Sequence, residues 1–92
     1  MKAAAALLLV AACVQTSGTA VGVVTAIEGD LDNVTSFTVL TAGDQVVFVP
    51  IPEGDYPFPL AHLYDHLRDG TPIRVEWERR DGDVVALSLA DA

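Results

Sequence analysis

The 92-residue sequence predicts a small, mainly β domain with five short strands and one helix lodged among them. Three observations carry this. Apolar and polar residues alternate with a period of two in several runs, the signature of half-buried strands. A single window, Leu60, Leu63, Tyr64 and Leu67, has the i, i+3, i+4, i+7 spacing of one helical face. Turn-forming clusters rich in Gly, Asp, Asn and Pro separate these runs.

Met1 to Ala12 carries one charge, Lys2, and then an unbroken apolar run from Ala3. That run is too short to span a bilayer, which takes roughly 20 residues, but it suits the core of a secretory signal. The chain thus divides into a signal over 1–12, a small polar tether over 13–20 and the folded domain over 21–92. Within the domain, Gly22 to Glu28 reads as the first strand and Gly29 to Asn33 as a turn. Ser36 to Thr41 is the second strand, and Ala42-Gly43-Asp44 is a tight connection. Gln45 to Ile51 is the third strand, closed by Pro50 and Pro52, and Pro52 to Pro57 is a loop. Pro59 suits a first helical turn and Gly70 a position just past the helix end. Ile73, Val75 and Trp77 then alternate with Arg74, Glu76 and Glu78, giving one apolar and one charged face. The Asp81-Gly82 turn leads into a last strand in which Val85, Leu87 and Leu89 share the apolar side.

Two resemblances arise from these residues. Val10-Ala11-Ala12-Cys13 resembles the lipobox of bacterial lipoproteins. That implies lipidation of Cys13, attachment to the membrane through the lipid, and export to the periplasm or cell exterior. The order of three strands, a helix and two strands over Val21 to Ala90 resembles the OB-fold, a five-stranded Greek-key barrel with its helix between the third and fourth strands. GVVTAIEG at the start and GTPIRVEWERRDGDVVALSLAD at the end are similar to small exported bacterial OB-type domains of unknown function. An SH3-like barrel or an open meander would satisfy the same alternation.

Charge narrows the function. Once the leader is removed, the basic groups are Arg68, Arg74, Arg79 and Arg80 against thirteen carboxylates, a formal charge of −9. Such a field repels nucleic acid, whose binding needs clustered cations. Cys13 is the single cysteine, so the domain holds no disulfide or thiolate cluster. The serines Ser17, Ser36 and Ser88 form no nucleophile elbow, and no glycine-rich phosphate loop or Cys-His pair is present. No catalytic residue and no cofactor are therefore expected.

His62 and His66 stand four apart on the helix, a spacing that suits a shared divalent ion. At 100° per residue from Leu60 they point away from the leucine face, together with Asp65 and Asp69, and are expected to be solvent-exposed. His62, His66 and Asp69 are the candidate metal ligands. The acidic turns, Glu28 to Asn33 and Glu53 to Asp55, match no calcium loop and read as solvated tips. Tyr56, Phe58 and Tyr64 could line a ligand surface beside the barrel, but Phe58 and Tyr64 read chiefly as residues that fasten loop and helix to the core. The function expected is a non-catalytic, lipid-anchored binding or accessory module of the envelope, its protein or small-molecule ligand unspecified. The alternative is a metal-handling protein using the histidine pair.

Overall fold

The computed structural model describes residues 15–92. The candidate signal and Cys13 lie outside the described residues. Five strands, β1 (Ser17–Asp30), β2 (Asn33–Thr41), β3 (Asp44–Asp55), β4 (Ile73–Arg80) and β5 (Asp83–Asp91), form a closed barrel in the order β1-β2-β3-β5-β4. Between β3 and β4 a 3₁₀ turn over Leu60–His62 runs into the helix α1 (Leu63–Asp69). The β3–β5 pairing is parallel and the other four are antiparallel. This is the OB-like Greek-key barrel with a short helix between its third and fourth strands.

Closure depends on β1, which serves two neighbours in succession. Ser17 to Gly22 pairs with β4, and Val23 to Asp30 pairs with β2. Gly22 is the corner between the two halves. A Cβ built there would stand 2.1 Å from the Leu40 carbonyl oxygen, so only glycine lets the backbones approach this closely. The expected tether is corrected here, because Ser17 to Ala20 belongs to the barrel. Its small side chains look like a linker by composition. Their physical use is to make room: Gly18 lies opposite Trp77, and a Cβ on Gly18 would meet that ring at 3.0 Å.

β2 also begins earlier than expected, at Asn33 rather than Ser36, and β3 and β5 each differ in one respect. β3 continues past Ile51 through the expected loop and rejoins β5 at Asp55↔Ser88 after an irregular stretch. Pro50 and Pro52 cannot donate to a ladder, and the Ile51 amide between them donates instead to the Tyr56 hydroxyl at 2.9 Å. That hydroxyl donates in turn to the Ala86 carbonyl at 2.6 Å, so one side chain stitches β3 to β5 where their backbones part. In β5 the expected alternation of Val85, Leu87 and Leu89 is broken. Glu76 faces Ser88 and Trp77 faces Ala86, leaving Leu87 as the extra residue of a bulge. Val85, Ala86 and Leu89 are buried and Val84 packs partly against the core, so of the three expected residues Leu87 alone is left half-buried.

The core runs through the barrel. Phe37, Phe48, Val39, Leu63, Ile73 and Val75 are all fully buried, and the two phenylalanine rings stack at 5.6 Å. Burying each such side chain is worth roughly 1.5–3 kcal/mol. Leu63 is the helix's contribution, supported by the partly buried Phe58, Leu60 and Tyr64. Ile73, at the start of β4, pairs with Asp91, which ends β5. That pairing brings the end of the last strand beside the helix and sets up the site.

Candidate metal centre

The helix faces differ from the sequence expectation at two positions. His66 is buried, with 4% exposure, whereas Leu67 is 37% exposed. The physical reason is that the His66 ring is held inward by Thr71, just past the helix end, which satisfies its Nδ1. His62 is half-buried.

A buried imidazole must have its polar atoms satisfied. His66 Nδ1 lies 2.8 Å from the Thr71 carbonyl oxygen and 2.9 Å from Thr71 Oγ1. A carbonyl only accepts, so Nδ1 carries the proton and donates. The Thr71 hydroxyl donates onward to Asp69 Oδ1 at 2.8 Å, and the Thr71 amide donates to the same oxygen at 3.0 Å. These two bonds from Thr71 hold the Asp69 carboxyl below the usual carboxylate range. Gly70, in the left-handed region at φ 75°, makes the sharp turn that brings Thr71 back to the ring.

With Nδ1 so engaged, Nε2 of His66 faces outward, 2.8 Å from Asp91 Oδ1. His62 repeats the arrangement. Its Nδ1 is 3.2 Å from Asp65 Oδ2 and its Nε2 is 3.4 Å from the same Asp91 oxygen. One ligand atom each from His62, His66 and Asp91 can be chosen so that all lie within 4.8 Å of one another. Among the described residues this is where histidine and carboxylate ligands converge. The two rings meet edge to face at 4.8 Å, and Phe58 closes one side, its ring 4.6 Å from that of His62.

The site therefore gathers His62 and His66 as the sequence suggested but replaces the third group. Asp69 is turned toward Thr71 and supports His66 from behind. Asp91, twenty-five residues further on, takes the place beside the two Nε2 atoms. No local pattern marks Asp91, since its proximity follows from the β4–β5 register. The cavity at this place, about 280 Å³, is lined also by Asp65, Asp69, Thr71 and Pro72. Its charged walls are acidic. Arg68 pairs with Asp65 from outside at 2.6 Å and holds that carboxyl below its ordinary range.

The other candidate groups are accounted for locally. Asp30 Oδ1 accepts from the amides of Asp32 and Asn33 at 3.1 and 2.9 Å, closing the β1–β2 turn on itself. Glu53 pairs with Arg80 at 3.1 Å, and Arg80 also binds Glu78. A larger cavity of about 460 Å³ lies at the other end of β4, among Phe48, Val46, Trp77, Arg79 and Val84. Among the described residues it gathers no set of metal-ligating side chains. Among the same residues no helix is long and apolar enough to cross a membrane.

No protein-family model matches the sequence, and no curated protein aligns with it significantly. Among solved structures, the barrel is similar to the crystal structure of Ag(I)CusF, with a TM-score of 0.59 and 14% sequence identity. The match covers 85% of this chain and 100% of that one. At this identity the likeness concerns the fold.

Proposed function

We propose that this protein is a non-catalytic metal-binding module of the cell envelope, with His62, His66 and Asp91 as the metal ligands. The observation that carries the reading is the convergence of both Nε2 atoms on one Asp91 oxygen, at 2.8 and 3.4 Å. Two donors each about 2.0–2.1 Å from one ion stand about 2.9 Å apart at a right angle and about 3.3 Å apart at a tetrahedral angle. Both edges already have that spacing. Each histidine also presents its other nitrogen to an oxygen acceptor, the Thr71 carbonyl for His66 and the Asp65 carboxylate for His62. That is how metal-bound imidazoles are ordinarily held in orientation. Support of a weaker kind comes from the barrel's likeness to a protein crystallised with silver(I).

Calorimetric titration of the full chain with Zn²⁺ tests the reading. One equivalent should bind, and His62→Ala should lose it. Undiminished binding by that variant would remove the assignment. Membrane attachment through Cys13 belongs to the same proposal and is tested separately: the wild type should partition into detergent, and Cys13→Ser should not. A lipid on Cys13 would leave only three residues before β1, a reach of about 13 Å. The barrel would then stand close against the membrane surface.

A further inference from the structure

We infer that the site takes a borderline divalent ion such as Zn²⁺ or Cu²⁺ in an exchangeable form, with a coordination position left for a ligand from outside the chain. The inference rests on the metal-binding reading above and specifies its chemistry. Imidazole nitrogen and carboxylate oxygen are donors of intermediate and hard character, which suit first-row divalent ions. Soft monovalent ions are selected by thiolate and thioether sulfur. The chain has one methionine and one cysteine, Met1 and Cys13, so residues 15–92 contain no sulfur. The barrel is similar to one crystallised with silver(I), but its own donors belong to another class of metal.

Exchange follows from the number and exposure of the donors. Structural zinc sites are closed by four protein ligands, and sites that keep three leave a position for water or another molecule. Here three groups converge, and their exposure is graded. The His66 side chain is 5% exposed, that of His62 35% and that of Asp91 66%. One ligand is fixed in the protein and the other two lie progressively nearer to solvent. Among the described residues no lysine or arginine lines the cavity, whose Asp65, Asp69 and Asp91 carboxylates would draw a divalent ion inward.

The test uses the full chain labelled with ¹⁵N in its histidines. Zn²⁺ should shift the Nε2 resonances of His62 and His66 in a one-to-one complex, and Ag⁺ should shift them at least tenfold more weakly. Reading the imidazoles rather than total uptake keeps silver captured by Cys13 out of the comparison. Asp91→Asn, which leaves the buried helix face untouched, should weaken Zn²⁺ at least tenfold, and Asp69→Asn should weaken it less. In the Co²⁺-loaded protein, added free imidazole should change the visible d–d spectrum while the metal stays bound. Silver preferred at these nitrogens, or a spectrum indifferent to imidazole, would overturn this inference and leave metal binding standing. No Nε2 shift with any of these ions would overturn the proposed function itself.

Discussion

At the scale of single residues, one helix separates three kinds of position within five consecutive residues. Leu63 is sealed in the core, His66 is buried but hydrogen-bonded, and Leu67 is partly in water. Leu63→Ala should cost about 2–5 kcal/mol, because transfer energy is lost and a cavity remains. His66→Ala should cost about 1–3 kcal/mol, since it strands the Thr71 carbonyl and opens the helix flank. Leu67→Ala should cost less than either. Urea midpoints of the three variants check the order, and a Leu67 loss equal to that of Leu63 would mean that the helix sits in a different rotation. Leucine at 67 and histidine at 66 pointed the other way in the sequence. Residue type gave the wrong face there, because the Thr71 partner that makes a buried histidine tolerable lies outside the helical pattern.

Tyr56 gives a second test at this scale, and one that depends on pH. Tyr56→Phe removes the hydroxyl between the Ile51 amide and the Ala86 carbonyl, at an expected cost of about 1–3 kcal/mol. Burial pushes the Tyr56 phenol above its ordinary range, with the Ile51 bond acting in the opposite sense. A group whose folded value is raised stabilises the fold below its unfolded value, near pH 10, and this contribution is lost as pH rises through the folded value. The wild type should therefore lose stability above about pH 10 more steeply than Tyr56→Phe does. Parallel alkaline unfolding curves for the two proteins would contradict this.

At the scale of elements, the regular parts were legible and the irregular ones were not. The alternation in Ile73 to Trp77 identified β4, and the turn chemistry at Asp81-Gly82 located the hairpin between β4 and β5. Leu87 was misread because a bulge shifts the faces without leaving any mark in the period. β1 was cut short because Ser17 to Ala20 resembles a linker in composition. The site was half legible for the same reason: a histidine pair four apart is a local pattern, whereas Asp91 reaches it only through the pairing of Ile73 with Asp91. Gly22 tests the element whose start was placed too late. Gly22→Ala drives a methyl group into the Leu40 carbonyl and should cost more than the roughly 0.5–1 kcal/mol that glycine-to-alanine exchanges usually shift. Thermal unfolding of the variant measures it, and an unchanged midpoint would mean that β1 can bend elsewhere.

At the scale of the molecule, charge and fold point in different directions. OB-like barrels host oligonucleotides among many other ligands, and fold alone chooses none of them. The balance of four arginines against thirteen carboxylates over residues 15–92 does discriminate. A labelled single-stranded oligonucleotide should show no binding at moderate ionic strength, because no cluster of cations is available to displace its counterions. Tight, salt-sensitive binding would contradict the electrostatic reading.

The double service of β1 has a consequence for where this protein can be cut. A chain begun at Val21, where composition places the start of the domain, would keep the β1–β2 hairpin but lose most of the residues that pair with β4. The barrel would become an open sheet, and β4 would offer a row of unpaired amides and carbonyls beside the apolar Ile73, Val75 and Trp77. Exposed edges of that kind recruit strands from other molecules. Such a truncated chain should elute as concentration-dependent oligomers, whereas one begun at Gln15 should remain monomeric. The six residues most easily discarded as spacer would then be the ones that keep copies of this protein apart.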